Sequence, residues 1–146
     1  MRIYMDVCCL NRPFDDQTQH KIHLEAEAIK IIFEKNELQK LEIISSEVID
    51  LEISKIPNLM KKRQVQLLAS VYKDKIRIND EIINQARTLE LLGITAFDAL
   101  HISCALYAKA EVFLTTDEDL VNKYELQKDE FQIRIVNPLE WIYEVE

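Results

Sequence analysis

Residues 94–110 constrain the fold most, because they predict a helix that is apolar on almost every side. Such a helix belongs in the interior of a domain rather than on its surface. Its polar side chains before Lys109 are Asp98, His101, Ser103 and the hydroxyl-bearing Tyr107. A carboxylate in the first turn of a buried helix costs free energy unless a partner compensates for it. Asp98 therefore needs an explanation, either as a helix cap or as part of a functional site.

Two predicted strands end in aspartates. Residues 112–115 form an apolar strand that runs into Asp117, and the first strand, Arg2–Met5, runs into Asp6. Strands that alternate with helices predict a parallel sheet with helices on both faces. Ligands of such sheets bind beyond the carboxyl ends of the strands. We therefore expect Asp6 and Asp117 to lie at one edge of the sheet.

The rest of the chain supports the same α/β pattern. Further strands are predicted at 41–44, 75–78 and 132–136, and residues 11–16 predict a loop because they combine a proline with paired aspartates. Periodicity and capping signals predict helices at about 20–35, 47–55, 57–71, 79–92 and 120–124, and from Pro138 onward. A length of 146 residues predicts a single domain over 1–146.

The charge balance limits the classes of function. The net charge is −8, from 26 acidic and 18 basic residues, which argues against a broad nucleic-acid-binding face. It leaves a metal-dependent nuclease open, because bound divalent cations cancel several acids locally. No apolar run of 18 residues predicts a membrane span, and Asp6 interrupts any signal-peptide core, so we expect a cytoplasmic protein. Cys8 and Cys9 are adjacent, which is not a zinc-binding spacing.

The acids differ in what their neighbours indicate. Glu52 has Val48, Ile49 and Ile56 at helical spacing, so it lies on or beside the core-facing stripe of its helix. We therefore favour Glu52 as the site residue over Glu47, which has more polar neighbours. Taken singly, the other acids have plain structural explanations as turn or capping residues: Asp6, Asp98 with Thr95, and Asp117 with Asp119.

Four acids from separate segments at one sheet edge are harder to explain as caps alone. Hard oxygen ligands of this kind suit Mg²⁺ or Mn²⁺. Such ions generate a hydroxide nucleophile and stabilise displacement at phosphorus. The residues therefore predict a metal-dependent site that cleaves phosphodiesters or transfers phosphoryl groups.

With these residues in view, the chain resembles a PIN domain, the fold of VapC-type toxin ribonucleases. The motifs are RIYMD at 2–6, a strand and helix over 44–53 carrying an inward Glu, FDALH at 97–101 and LTTD at 114–117. The resemblance implies a three-layer α/β/α sandwich around a parallel sheet of four to five strands. It implies an acidic pocket for Mg²⁺ or Mn²⁺, endonucleolytic cleavage of RNA, a homodimer and a small antitoxin partner.

The resemblance also assigns residues to the site. Asp6, Glu52, Asp98 and Asp117 match the acidic catalytic and metal-binding quartet, and Thr115 matches a supporting hydroxyl. Asp119, Glu47 and Asn11 are further supporting candidates, and Arg12 is a candidate for contacting a substrate phosphate.

The chain departs from the family pattern directly after Asp6, where Val7-Cys8-Cys9 replaces the usual Thr and then Asn or Ser. This departure keeps a second function open, a PIN-like binding module that acts through protein partners with little turnover. A third class, a receiver domain or a phosphatase of the Asp-x-Asp kind, is disfavoured because Cys8 stands where the second Asp would be.

Overall fold

The computed structural model describes residues 1–72 and 74–145. Its strands are β1 (Arg2–Met5), β2 (Glu42–Ser46), β3 (Lys75–Ile76), β4 (Val112–Leu114) and β5 (Arg134–Val136). Its α-helices are α1 (Val7–Asn11), α2 (His20–Glu37), α3 (Glu47–Ser54), α4 (Leu59–Ala69), α5 (Asp80–Glu90), α6 (Ala96–Tyr107), α7 (Glu118–Leu126) and α8 (Pro138–Val145). Two 3₁₀ turns, Arg12–Phe14 and Lys128–Glu130, complete the regular structure of the described residues.

The five strands form one sheet in the order β3-β2-β1-β4-β5, and every strand pair is parallel. Helices flank this sheet, which confirms the predicted α/β/α sandwich. Among the described residues, no helix combines the length and hydrophobicity needed to cross a bilayer.

The central strand and the central helix explain why the chain folds this way. Ile3, Tyr4 and Met5 of β1 are all fully buried, as expected for a parallel strand that is covered on both faces. The Tyr4 ring stacks on Phe113 of β4 with a centroid separation of 5.4 Å. Helix α6 contacts β2, β4 and α3, and α5 packs against it, so its apolar sequence is buried as predicted.

The predicted loop at residues 11–16 is wrong in part. Helix α1 ends at Asn11, and a 3₁₀ turn occupies Arg12–Phe14. The loop prediction missed α1 because one turn of helix carries no periodicity that a sequence can reveal. The proline fits in the 3₁₀ turn because it stands near its start, where a missing N–H costs nothing.

The connectivity reverses direction at the centre of the sheet, beside β1. From β1 the chain builds outward through β2 to β3, and it then returns to place β4 on the other side of β1. Open parallel sheets bind ligands at this kind of switch point, beyond the carboxyl ends of the strands. The ends of β1 and β4 meet there, and they carry Asp6 and the segment 115–117.

Candidate active site

Asp6 is fixed in place by backbone and side-chain hydrogen bonds at the end of β1. Its N–H donates to the Leu114 carbonyl at 2.9 Å, which extends the β1–β4 pairing by one residue. Its Oδ1 accepts from the Val7 N–H at 2.8 Å, so Asp6 caps α1. Its Oδ2 accepts from the Thr115 hydroxyl at 3.1 Å. The side chain is therefore oriented before any ligand arrives, although the residue is only 4% exposed.

Thr115 connects the two acids that follow β1 and β4. Its hydroxyl donates to Asp6 and accepts from the Asp117 N–H at 3.1 Å. The Cys8 thiol lies 3.3 Å from the same oxygen, and since the threonine hydrogen is already given to Asp6, the thiol is the donor. Cys8 in turn accepts from the Thr116 N–H at 3.4 Å. Cys8 and Thr115 thus support Asp6 without a hydroxyl residue directly after it.

His101 brings Glu52 next to Asp6. Its Nε2 lies 2.7 Å from Glu52 Oε1 and 3.8 Å from Asp6 Oδ1. One ligand-type atom from each of these three residues lies within 4.8 Å of the other two. His101 is fully buried, whereas the Glu52 side chain is 32% exposed. The cluster therefore has a buried side formed by His101 and Asp6 and an open side formed by Glu52.

A hydrogen-bonded chain continues from the other ring nitrogen of His101 into the core. Nδ1 lies 2.6 Å from the Tyr4 hydroxyl, and that hydroxyl lies 2.7 Å from Ser46 Oγ. Ser46 Oγ also accepts from the Ile49 N–H at 3.1 Å and so caps α3. The imidazole orientation is thereby tied to the start of the helix that carries Glu52.

Asp98 and Asp117 lie near this cluster and interact with it electrostatically. Burial, together with the charges of Asp6 and Asp117, raises the pKa of Asp98 to about 6. The Asp98 N–H donates to the hydroxyl of Thr95, the predicted cap of α6, at 3.4 Å. Asp117 caps α7, because its Oδ1 accepts from the N–H groups of Asp119 and Leu120 at 3.0 and 3.3 Å.

The pKa values of Asp6 and His101 are also shifted, by burial and by the charged groups around them. Burial, with the charge of Glu52, raises the pKa of Asp6 above its ordinary value, and His101 opposes this shift. Burial acts to lower the pKa of His101, but the hydrogen bond to Glu52 and the charges of Asp6, Glu52 and Asp98 outweigh it, so that pKa is raised. In both cases the site favours extra positive charge, as a proton or as a bound cation.

Two other predicted supporting residues have structural roles outside the three-residue cluster. Glu47 is exposed, and its Oε1 accepts from the Ile78 N–H at 2.9 Å, which fastens α3 to the segment after β3. Asp119 is exposed, and its backbone completes the Asp117 cap. The three residues of the cluster come instead from β1, α3 and α6.

Arg12 and Asn11 lie in the connection after α1. Arg12 Nε donates to Glu25 Oε1 at 2.8 Å, and its Nη1 donates to Asp15 Oδ2 at 2.8 Å. Contact with a substrate phosphate would require Arg12 to leave two carboxylates. Asn11 Oδ1 is buried and has no hydrogen-bond partner among the described residues.

The donor set of the cluster fits a divalent cation. The Asp6 carboxylate keeps a free lone pair on each oxygen after its two hydrogen bonds. Glu52 presents its carboxylate at the open side, and Asp98 and Asp117 add negative charge nearby. Carboxylates with space for water are the usual environment of Mg²⁺ or Mn²⁺ in proteins.

A family comparison agrees with this geometry. The family model described as PIN domain matches residues 3–126. The chain belongs to the PIN domain family. Among curated proteins, no sequence matches this PIN domain.

Solved structures with the same fold include FitAcB, VapBC2 and VapBC-1. FitAcB from Neisseria gonorrhoeae aligns with a TM-score of 0.61 and 14% identity, over 93% of this chain and 97% of that chain. VapBC2 from Rickettsia felis, bound to a DNA fragment from its promoter, aligns with a TM-score of 0.57 and 15% identity. VapBC-1 from nontypeable Haemophilus influenzae aligns with a TM-score of 0.57 and 20% identity. The two VapBC alignments each cover 94% of this PIN domain and 98% of the other chain.

His101 and Tyr4 belong to the site in the structure, but the sequence patterns did not predict them as site residues. The signals for His101 were its place in the FDALH motif and its position three residues after Asp98, on the same face of a mostly apolar helix. Nothing in the sequence indicates a functional role for Tyr4, because an aromatic residue in a buried strand is usually a core residue. Their roles depend on β1 and α6 being neighbours across 97 residues of sequence.

Proposed function

We propose that this PIN domain is a Mg²⁺- or Mn²⁺-dependent endoribonuclease. The observation that carries the proposal is the cluster of Asp6, Glu52 and His101 at the carboxyl end of the central strand, in a chain of a family whose members are generally nucleases. Asp98 and Asp117 complete the acidic site as further metal-binding and catalytic residues. We propose that all 146 residues form this one catalytic domain.

In this proposal the protein residues bind and orient. Asp6, Glu52, Asp98 and Asp117 hold the cation, which when bound supplies an activated water and charge stabilisation at the phosphodiester. Thr115 keeps Asp6 turned toward the site, because its hydroxyl donates a hydrogen bond to Asp6 Oδ2.

RNA must reach this site past a net charge of −8. Helix α4 packs against both α1 and α3 and carries Lys61, Lys62 and Arg63. Lys61 already donates to Asp15 at 2.6 Å, whereas Arg63 is exposed. The exposed end of this basic cluster is therefore the better candidate for attracting the phosphate backbone.

We further propose that the enzyme is the toxin of a toxin–antitoxin pair, that it acts in the cytoplasm as a homodimer, and that a small antitoxin silences it. The support is the fold shared with FitAcB, VapBC2 and VapBC-1, together with the resemblance of the sequence motifs to VapC-type toxin ribonucleases.

The test is cleavage of a mixed RNA pool by purified protein with Mn²⁺, with Mg²⁺ and with EDTA. Wild type should cut only with metal, and Asp6→Asn or Asp98→Asn should lower the rate by at least about a hundredfold, because each removes a charged group at the metal site. Asp129→Asn is the matched control, since Asp129 is exposed and lies outside the cluster.

Full activity of Asp6→Asn in a nuclease-free preparation would refute the proposed site. Folded wild-type protein that binds Mn²⁺ but cuts no RNA in the pool would favour the binding-module reading instead.

A further inference from the structure

We propose that His101 is a direct nitrogen ligand of the metal ion, which makes this a mixed nitrogen and oxygen site that prefers Mn²⁺ and related transition metals over Mg²⁺. The inference rests on the proposed function only in requiring that a divalent cation binds beside Asp6. It does not depend on which nucleic acid, if any, is cut.

The distances in the cluster match one coordination shell. In a six-coordinate ion with bonds of about 2.1 Å, neighbouring ligand atoms lie roughly 3 Å apart. His101 Nε2 lies 2.7 Å from Glu52 Oε1 and 3.8 Å from Asp6 Oδ1. The 2.7 Å pair already has about this spacing, and 3.8 Å lies between it and the roughly 4.2 Å that separates ligand atoms on opposite sides of such an ion.

The other ring nitrogen has the partner that a metal-bound histidine needs. Histidines that bind metals almost always donate their second N–H to an oxygen, which fixes the tautomer and the ring plane. The Tyr4 hydroxyl is 2.6 Å from Nδ1 and can accept that hydrogen while donating its own to Ser46 Oγ at 2.7 Å. Once the proton shared with Glu52 is lost, this arrangement leaves the Nε2 lone pair directed at Asp6 and Glu52.

Binding of the ion would replace the hydrogen bond between His101 and Glu52. The proton between Nε2 and the carboxylate leaves to solvent, and both atoms then bind the cation. Since His101 is fully buried, the imidazole has no alternative position in water. Imidazole is a common ligand of transition metals, whereas Mg²⁺ is held mainly by carboxylates, carbonyls and water. The nitrogen therefore adds affinity for Mn²⁺ and little for Mg²⁺.

The chain allows a sharp spectroscopic test, because it has only three histidines, His20, His23 and His101. Tag-free protein is loaded with Mn²⁺ alone, and electron spin-echo modulation is recorded for a coordinated nitrogen. We expect a nitrogen signal in wild type and in the matched control His20→Gln/His23→Gln, but not in His101→Gln. Wild type made with ¹⁵N-histidine should show the isotope shift, which keeps the test valid even if His101→Gln does not fold.

Affinity gives a second readout. We expect Mn²⁺ to bind wild type at least about tenfold more tightly than Mg²⁺, and His101→Gln to lose most of that preference. Tyr4→Phe should keep the nitrogen signal but weaken Mn²⁺ binding by roughly tenfold, because it removes only the oxygen that orients the ring.

Three outcomes separate this inference from the nuclease proposal. Bound Mn²⁺ without histidine modulation in wild type overturns the nitrogen ligand, and RNA cleavage could still stand. A histidine signal in protein that cuts no RNA supports the ligand and overturns only the nuclease. Failure of wild type to bind Mn²⁺ at millimolar concentration overturns both.

Discussion

At the scale of single residues, Asp98 shows how the site stores unfavourable charge. It lies in the first turn of α6, where the Thr95 cap and the helix dipole favour a carboxylate, yet burial and the neighbouring acids raise its pKa to about 6. The raised pKa means that the folded apo-protein holds this proton more tightly than the unfolded chain does. Stability is then lost as the pH rises from the ordinary aspartate pKa of about 4 through 6.

Asp98→Asn should therefore stabilise the metal-free protein at neutral pH. In EDTA at pH 7.5 we expect a gain in the free energy of unfolding on the order of 1 kcal/mol, because solvent screens a side chain that is partly exposed. The gain should be largely gone near pH 4, where the wild-type carboxyl is protonated in the folded state and about half protonated in the unfolded chain. Urea unfolding across pH 4–8 measures the difference in unfolding free energy between Asp98→Asn and wild type. The control Asp129→Asn should have the same unfolding free energy as wild type at each pH. A variant less stable than wild type at pH 7.5 would contradict the electrostatic account.

At the scale of elements, a buried ion pair ties the start of the chain to its end. Glu25 of α2 is fully buried, and it accepts from Arg12 of the 3₁₀ turn and from Asn137 Nδ2, just before α8, at 2.5 Å. Arg12 also pairs with Asp15, which Lys61 of α4 reaches in turn. Three segments of the chain thus meet at the buried Glu25 carboxylate, and α4 joins the same network through Asp15.

Arg12→Met should cost about 3–5 kcal/mol of unfolding free energy, because it leaves the buried Glu25 charge with only an amide partner. Lys61→Met, the control at the open end of the same network, should cost no more than about 1 kcal/mol. Guanidinium unfolding compares the two variants, and adding Glu25→Gln to Arg12→Met should restore part of the loss. Equal costs for the two single variants would show that burial of Glu25 does not decide the stability here.

At the scale of the whole molecule, the proposed metal site links elements that are far apart in sequence. Asp6 follows the central strand, Glu52 lies on α3 and His101 on α6, so a cation bound among them joins the middle of the sheet to two helices. A ligand that binds only the folded state stabilises it by mass action.

Mn²⁺ at a hundred times its dissociation constant should therefore add about 2.7 kcal/mol of stability. For a chain of this size that corresponds to a rise in Tm of roughly 5–10 °C. Differential scanning fluorimetry with and without Mn²⁺ measures the shift, and Glu52→Gln should remove most of it. A wild-type Tm that does not respond to saturating Mn²⁺ would contradict this linkage.

Local sequence patterns determined most of the architecture of this protein. The apolar helix containing Asp98, the apolar strands before Asp6 and Asp117, and the Thr95 cap are short-range signals, and each appears in the structure. The position of Asp6 and Asp117 at one edge followed from the parallel sheet, because strand direction alone brings these ends together.

Only the tertiary structure decided which groups touch. One turn of helix at Val7–Asn11, the Cys8–Thr115 contact and the chain from Ser46 through Tyr4 and His101 to Glu52 have no local signature. Each depends on side chains from elements up to 107 residues apart in sequence. Hydrophobic periodicity says which face of an element is buried, but hydrogen bonds between buried polar groups depend on positions fixed to within about an ångström by packing. The sequence therefore determined the edge at which the site is built, and the packing of α3 and α6 against β1 decided its composition.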